Sequence, residues 1–454
     1  MNYSLLPPDG FLEARLSLPL SKSMSARALI ISALTPGAQL PEPVAKCDDT
    51  DALLAALSDG SHGLRTIDVG AAGTTMRFLT AYYAATPGCN VCLDGSDRMR
   101  QRPIGVLVEA LRELGADITY AGREGYPPLN IRGRQLRGGA VSLDATVSSQ
   151  YISALLMVAP TMTEGLTLTL QGEITSRPYI LMTLKMMAAY GVEGELYAGT
   201  VTVPAATYRA PATPVPIEGD WSAAGAWYAI EALSAGEVII DNLVKDSCQG
   251  DRCLADIFHS LGVDTDWEGD EGAPTLLAHP DADARLTYDF SDCPDLAQYV
   301  AVTCAMLGFP FTFTGLHTLA IKETDRVAAL RAELLKCGII VDISVAGSMS
   351  WDGRRTPILE LPVFDTYDDH RMAMCLAPVS LYIPGVVIRD VEVVSKSYPG
   401  FWDDLREAGF TLRPVSDDAI AGLVSVQTSP EAAPDPAIEK IIPRQEPLNP
   451  LANF

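Results

Sequence analysis

The sequence predicts an α/β protein of two domains, each assembled from three related modules. Three observations lead there. Five segments with a helical apolar pattern each end at a glycine, at Gly115, Gly191, Gly262, Gly338 and Gly409, so the spacing alternates between 76 and 71 residues. Short stretches of alternating β character lie between them, such as VSLDA, LTLTLQG and TVTVP. The chain has 454 residues, more than the ~250–300 that a single hydrophobic core usually organises.

In chain order, DDTDALLAALSDG, ending at Gly60, reads as a weaker first copy. RPIGVLVEALRELG, RPYILMTLKMMAAYG, DRCLADIFHSLG, DRVAALRAELLKCG and YPGFWDDLREAG follow. Each places apolar residues at i, i+3, i+4 and i+7, the stripe of an amphipathic helix. The closing glycine suits the left-handed position just past a helix end, which side chains with a Cβ disfavour. With the intervening β stretches, each copy is a mixed module of about 70 residues. The proline- and alanine-rich run APATPVPIEGD at 210–220 is the natural boundary and a stiff hinge. Six prolines and no periodic apolar face between Pro430 and Phe454 predict that 415–454 is an extended or disordered tail.

Composition narrows the function. Lys and Arg total 33 against 57 Asp and Glu, a net charge of -24. Such a surface repels phosphate backbones and anionic lipid, which argues against a nucleic-acid or membrane partner. The nine scattered cysteines fit reduced thiols in a cytoplasmic protein. Cys89 and Cys92 form a C-x-x-C, but CNVCLDG reads as a strand running into a turn, and Cys248/Cys253 is poorly spaced to complete a zinc site. No metal ligands are assigned. The first residues show no basic-then-apolar leader, and no apolar run reaches the ~18–20 residues that span a bilayer.

Several segments combine cations with hydroxyls or glycine at the start of an apolar helix. LPLSKSMSARAL carries Lys22, Ser23 and Arg27; VGAAGTTMRFL carries Gly73 and Arg77; DGSDRMRQRPI carries Arg98, Arg100 and Arg102. VSSQYISALL opens with Ser148, Ser149 and Gln150, and EITSRPYI holds Ser176 and Tyr179. In the second half, SDCPDLAQYVAV places Asp295 before a helix, AIKETDRVAAL holds Lys322, Glu323 and Arg326, YDDHRMAMCLA holds Asp369, His370 and Arg371, and SKSYPGFW holds Lys396. Each has a plain structural reading beside the functional one. Serines and aspartates cap helices, with Thr324 a candidate cap in KETDR, and arginines pair with neighbouring carboxylates on exposed turns. Taken together, they place Lys22, Arg27, Arg77, Arg98, Lys322, Arg326, Arg371 and Lys396 at corresponding helix starts. If the modules pack in a ring, those starts gather in one cleft that would attract small, multiply anionic substrates.

At this density of motifs the chain resembles the 5-enolpyruvylshikimate-3-phosphate synthases (3-phosphoshikimate 1-carboxyvinyltransferases). LPLSKSMSARAL, GAAGTTMR, DRMRQRPI, SSQYISALL, SRPYI, EGDWSAA, PDLA, KETDR, DDHRMAM and SKSYPGF occur in the family order between about Leu18 and Leu405. The resemblance implies the two-domain enolpyruvyl transferase fold, an inside-out α/β barrel with three βαβαββ units per domain. The first domain would be 1–14 with 217–413, and the second 15–216. It implies transfer of the enolpyruvyl group of phosphoenolpyruvate to the 5-hydroxyl of shikimate 3-phosphate by a cytoplasmic monomer, with no cofactor.

Carried over by motif, Lys22, Ser23, Arg27, Ser148, Ser149, Gln150, Ser176, Tyr179, Asp295 and Lys322 would hold shikimate 3-phosphate. Lys22, Gly73, Arg98, Gln150, Arg326, Arg371 and Lys396 would hold phosphoenolpyruvate. Asp295, Glu323 and Lys22 form the implied catalytic set, with Asp295 accepting the hydroxyl proton and Glu323 donating to the vinyl carbon. The chain departs from the family pattern at Leu20, Ala26, Ala71 and Thr318; Ala71 removes a polar side chain beside the phosphoenolpyruvate site. A sister transferase that acts on UDP-N-acetylglucosamine usually carries a cysteine in the loop matching DGSDRMRQRP, and none lies there.

Overall fold

The computed structural model describes residues 1–58, 64–146, 148–269 and 272–425. All five module glycines, Gly115, Gly191, Gly262, Gly338 and Gly409, lie in the left-handed region with φ between 74° and 103°. Gly60 and the stretch from 430 onward lie outside the described residues. Strand Thr411–Val415 runs to the start of the anticipated tail, and within it Asp417–Ser425 is a helix. Thr411–Val415 pairs along Asn2–Leu6. The tail reading began too early by the helix Asp417–Ser425, whose Asp417 accepts from Asn2 Nδ2 at 2.9 Å at the other end of the chain.

Contacts divide the chain into two compact units. One holds Met1–Pro19, Gly219–Asp246 and the chain from Asp251; the other holds Leu20–Glu218 with Ser247–Gly250.

In the Leu20–Glu218 unit two modules run β-α-β-α-β-β. The first is Leu64–Asp68, helix Gly73–Ala85, Asn90–Asp94, helix Gly105–Glu113, Asp117–Tyr120 and Leu129–Arg132. The second is Gly139–Asp144, helix Ser149–Val158, Leu166–Gln171, helix Arg177–Ala189, Glu195–Tyr197 and Thr200–Val203. Each forms a four-stranded sheet in which the first two strands are parallel and the rest antiparallel. The alternation in LTLTLQ turns every second side chain inward, giving a strictly alternating burial pattern. The opening module comprises helices Lys22–Ala33 and Asp48–Ser58, and among the described residues it has no strand of its own.

The other unit is closed by its two distant chain segments. Glu13–Leu16 runs parallel to Glu237–Ile240, beside Pro274–Ala278 and Val263–Trp267. Asn2–Leu6 sits between Val387–Ile388 and Thr411–Val415. A third sheet joins Leu286–Asp289, Phe311–Thr314 and Met349–Trp351.

Each unit has its own apolar core, built around three helices that pack on one another. They are Lys22–Ala33, Gly73–Ala85 and Ser149–Val158 in one unit, and Trp221–Ser234, Ala297–Leu307 and His370–Leu376 in the other. These helices are buried nearly all round, as their nearly continuous apolar sequences require. Ile152 and Leu155 are fully buried; truncating either to alanine would cost about 2–5 kcal/mol. Helix Gly105–Glu113 keeps a polar face. The site residues come mainly from the starts of the central helices.

Candidate active site

In the Leu20–Glu218 unit, Ser21 caps helix Lys22–Ala33 by accepting the Met24 N–H. Its hydroxyl thereby fixes where Lys22 and Ser23 emerge. Lys22 Nζ lies 3.5 Å from Asp49 Oδ2. Arg27, one turn on, is buried and held by neutral acceptors. Its guanidinium donates to Thr183 Oγ1 at 2.7 Å, the Ser23 carbonyl at 2.8 Å, Ser153 Oγ at 2.9 Å and the Tyr179 carbonyl at 3.4 Å. It also faces the rings of Phe78 and Tyr179. Burial lowers its pKa to about 10, so the charge survives at neutral pH without a carboxylate partner among these contacts.

Gly73 opens the second central helix. A Cβ there would lie 2.7 Å from Arg102 Nη1, so glycine lets a guanidinium cross the helix start. Arg102 is buried and absent from the sequence-derived site; only its place beside Arg98 hinted at a role. Arg98 is exposed at the turn before Met99–Gln101. Arg100 follows the plain reading and pairs with Asp94 at 2.7 Å. Ser148 caps the third central helix through the Gln150 N–H, while Gln150 Nε2 reaches Thr74 Oγ1 at 3.0 Å, tying two helix starts together. Ser149 is partly buried beside them. Ser176 precedes helix Arg177–Ala189 with φ 53° and makes no capping bond through its side chain. Non-glycine residues held in the left-handed region cluster at active sites and ligand clamps.

The other unit gathers Asp295, Lys322, Glu323, Arg326, Arg371 and Lys396 in one network. Arg326, buried at the start of helix Arg326–Lys336, donates to Asp369 at 2.6 Å, Asp295 at 2.7 Å and Glu323 at 3.0 Å. Asp295 also meets Arg371 at 3.2 Å and Lys322 at 3.5 Å. Lys396 Nζ donates to Glu323 Oε1 at 2.7 Å. Burial raises the Asp295 carboxyl pKa, but Arg371, Lys322 and Arg326 outweigh it and hold the group well below the ordinary carboxylate range. Burial works against the Arg326 charge, and Asp369, Glu323 and Asp295 raise its pKa nonetheless.

Two local readings are corrected. Asp295 is no helix cap: it lies in the turn Pro294–Leu296 and spends its carboxylate on cations. The cap in KETDR is Asp325, which accepts the Ala328 N–H at 3.1 Å, rather than Thr324. Asp369 stands in the motif YDDHRMAMCLA, but the resemblance assigns it no substrate. It caps helix His370–Leu376 through the Arg371 N–H and braces Arg326 at the same time. Its position before HRMAM is the signal that could have marked that role. Asp251, missed as a site residue, is buried and accepts from Ser222; burial and then Asp295 push it up to about 6.

Among the described residues, His259, Asp264 and His279 could present ligating atoms within 4.8 Å of one another. His279 already uses both ring nitrogens, Nε2 on the His259 carbonyl at 3.0 Å and Nδ1 on the Asp281 N–H at 3.2 Å. A metal there would have to displace one of these bonds.

Fold and side chains together give an α/β protein in which the carboxylates Asp295 and Glu323 are set among cations. Residues 61–405 match the family described as EPSP synthase (3-phosphoshikimate 1-carboxyvinyltransferase). A 3-phosphoshikimate 1-carboxyvinyltransferase of Bacteroides fragilis is 48% identical over 91% of this chain and 99% of its own. One of Aliivibrio fischeri is 35% identical over 88% and 98%. The chain belongs to the EPSP synthase family. An EPSP synthase structure from Acinetobacter baumannii has the same fold, with a TM-score of 0.70 at 20% identity over 91% of this chain and 100% of that one. Among the described residues no helix is long and apolar enough to cross a membrane.

Proposed function

We infer that the protein catalyses the family's reaction. It transfers the enolpyruvyl group of phosphoenolpyruvate to the 5-hydroxyl of shikimate 3-phosphate and releases phosphate, a step of the shikimate pathway to aromatic amino acids. The observation that carries this reading is the network in which Asp295 and Glu323 share Arg326 and are flanked by Lys322, Arg371 and Lys396.

The chemistry explains why such a network is useful. The 5-oxygen attacks C2 of phosphoenolpyruvate while its proton passes to Asp295. Glu323 delivers a proton to the methylene carbon, giving a tetrahedral adduct. Loss of a proton from the new methyl group and of phosphate from C2 then restores the vinyl group. Before substrate arrives, the cations are neutralised by the acid–base groups themselves. A carboxylate and a phosphate that take over Arg326, Arg371 and Lys396 withdraw positive charge from Asp295 and Glu323. Their proton affinities then rise at the moment the reaction needs them. Cations in a buried setting also stabilise the charge of the adduct.

In this reading Arg27, Ser23, Ser148, Ser149, Ser176 and Tyr179 hold shikimate 3-phosphate. Lys322 serves the same substrate and Lys22 and Gln150 serve both, while Gly73 and Arg98 serve phosphoenolpyruvate. Hydroxyls, an amide and helix-start N–H groups suit a phosphate ester. The protein works as a monomer, and its nine free thiols support placing it in the cytoplasm.

The test is phosphate release by the purified protein. It should require both shikimate 3-phosphate and phosphoenolpyruvate. Release with UDP-N-acetylglucosamine in place of shikimate 3-phosphate, and none with the expected pair, would move the protein to the sister activity.

A further inference from the structure

The turn that delivers Asp369 and Arg371 is strained. Tyr367 and Asp368 have φ of 55° and 54°, and no other two consecutive non-glycine residues share the left-handed region among the described residues. That region crowds the Cβ of an L-residue, and it persists only where surrounding contacts enforce it. A bulky tyrosine there calls for an explanation.

The turn is closed by its own backbone, the Asp369 N–H donating to the Thr366 carbonyl at 2.9 Å, and Tyr367 and Asp369 are both gripped by one helix. Tyr367 Oη donates to Glu333 Oε1 at 2.6 Å. Glu333 is fully buried, and its other oxygen accepts the Asp365 N–H at 3.0 Å and Lys336 Nζ at 2.7 Å. Lys336 also donates to the Val363 carbonyl at 2.8 Å. Two residues beyond Tyr367, Asp369 is gripped by Arg326. Arg326 and Glu333 are seven residues apart on helix Arg326–Lys336, so they share a face. The strained pair is therefore stapled at both ends to that face, by Glu333 before it and Arg326 after it. Upstream, Val363–Phe364 is fixed by pairing with Val387–Ile388.

We propose that Tyr367 and Glu333 are positioning residues for the phosphoenolpyruvate site: their hydrogen bond holds the left-handed Tyr367–Asp368 turn, which sets Asp369 across Arg326 and the Arg371 backbone. This rests on the functional reading above, which gives Arg326 and Arg371 to phosphoenolpyruvate. Neither Tyr367 nor Glu333 touches the reacting atoms. If the bond is lost, the backbone relaxes out of the left-handed region, and both arginines lose their common brace.

The experiment compares full-length wild type with Tyr367→Phe, Asp368→Gly, the double variant and Glu333→Gln. Tyr367→Phe removes the bond and keeps the strain, so KM for phosphoenolpyruvate should rise about tenfold, with KM for shikimate 3-phosphate within about twofold. Asp368→Gly alone should be nearly silent. In the double variant glycine lowers the cost of the turn, and KM for phosphoenolpyruvate should return to within about threefold of wild type. Glu333→Gln keeps an acceptor for Tyr367 but weakens the bond to Lys336, and should fall between wild type and Tyr367→Phe; it decides the matter should Tyr367→Phe not fold. Unchanged kinetics, an equal rise in both KM values, a lowered Tm alone, or no recovery in the double variant would each overturn the proposal. Amide exchange at Arg371 separates the two readings. A wild type that releases no phosphate ends the functional reading. Faster Arg371 exchange in Tyr367→Phe, reversed by Asp368→Gly, then still supports the turn's role, and unchanged exchange removes it.

Discussion

The two units hold a buried arginine for opposite electrostatic purposes. Arg27 lies on the central helix Lys22–Ala33, whereas Arg326 opens helix Arg326–Lys336, outside the three central helices of its unit. In the Leu20–Glu218 unit the buried guanidinium of Arg27 is held by hydroxyls and carbonyls. In the other unit the buried guanidinium of Arg326 is held by three carboxylates. Neutral acceptors orient a cation and leave its charge available to an incoming anion. Carboxylate partners cancel that charge until an anion displaces them, and their own proton affinity shifts as they are displaced. The first arrangement suits holding a substrate and the second suits moving protons.

The largest effect should come from breaking the second arrangement. Asp295→Asn keeps the shape and removes the base, so kcat should fall about 10³-fold. Binding of shikimate 3-phosphate, followed by calorimetry, should change by less than about threefold. Parallel losses in both would reduce Asp295 to a brace for its cations.

A second prediction contrasts two carboxylates of the same unit. Glu231 is fully buried in helix Trp221–Ser234, and burial pushes it up to about 8 from an ordinary 4.5. Asp295 moves the other way because cations surround it. The folded state keeps the Glu231 proton to higher pH than the unfolded state does. Its stabilising contribution is therefore complete below about pH 4.5 and is lost as pH rises to about 8. Glu231→Gln should remove this loss, stabilising the protein by roughly 4–5 kcal/mol at pH 8.5 and little at pH 4.5. Unfolding of both proteins across that range measures it, and parallel curves would contradict it.

The smallest expected effect belongs to the hydroxyl-held cation. An ammonium cannot reproduce the fork that meets Thr183 and Ser153. Arg27→Lys should raise KM for shikimate 3-phosphate about tenfold and leave kcat within about threefold. A larger loss of kcat than of affinity would erase the distinction between the units.

Much of this was legible before any coordinates. The apolar periodicities, the closing glycines and the alternating strands are local signals, and the helices that end near Gly115, Gly191, Gly262, Gly338 and Gly409 follow from them. The residue types of the site were also visible, as motifs in family order. Local signals could not say what each polar group would bind. Asp295 before an apolar helix has the pattern of a cap, and Thr324 looks as good a cap as Asp325.

The chain by itself therefore determined where helices and strands form and which side chains lie at their starts, because those depend on neighbours a few residues away. Only the tertiary structure decided that Arg326 meets Asp295 across 31 residues and Asp369 across 43, or that Glu13–Leu16 pairs with Glu237–Ile240. Such pairings are selected by the packing of the whole unit and by mutual charge in a low-dielectric interior. No window of sequence contains that information.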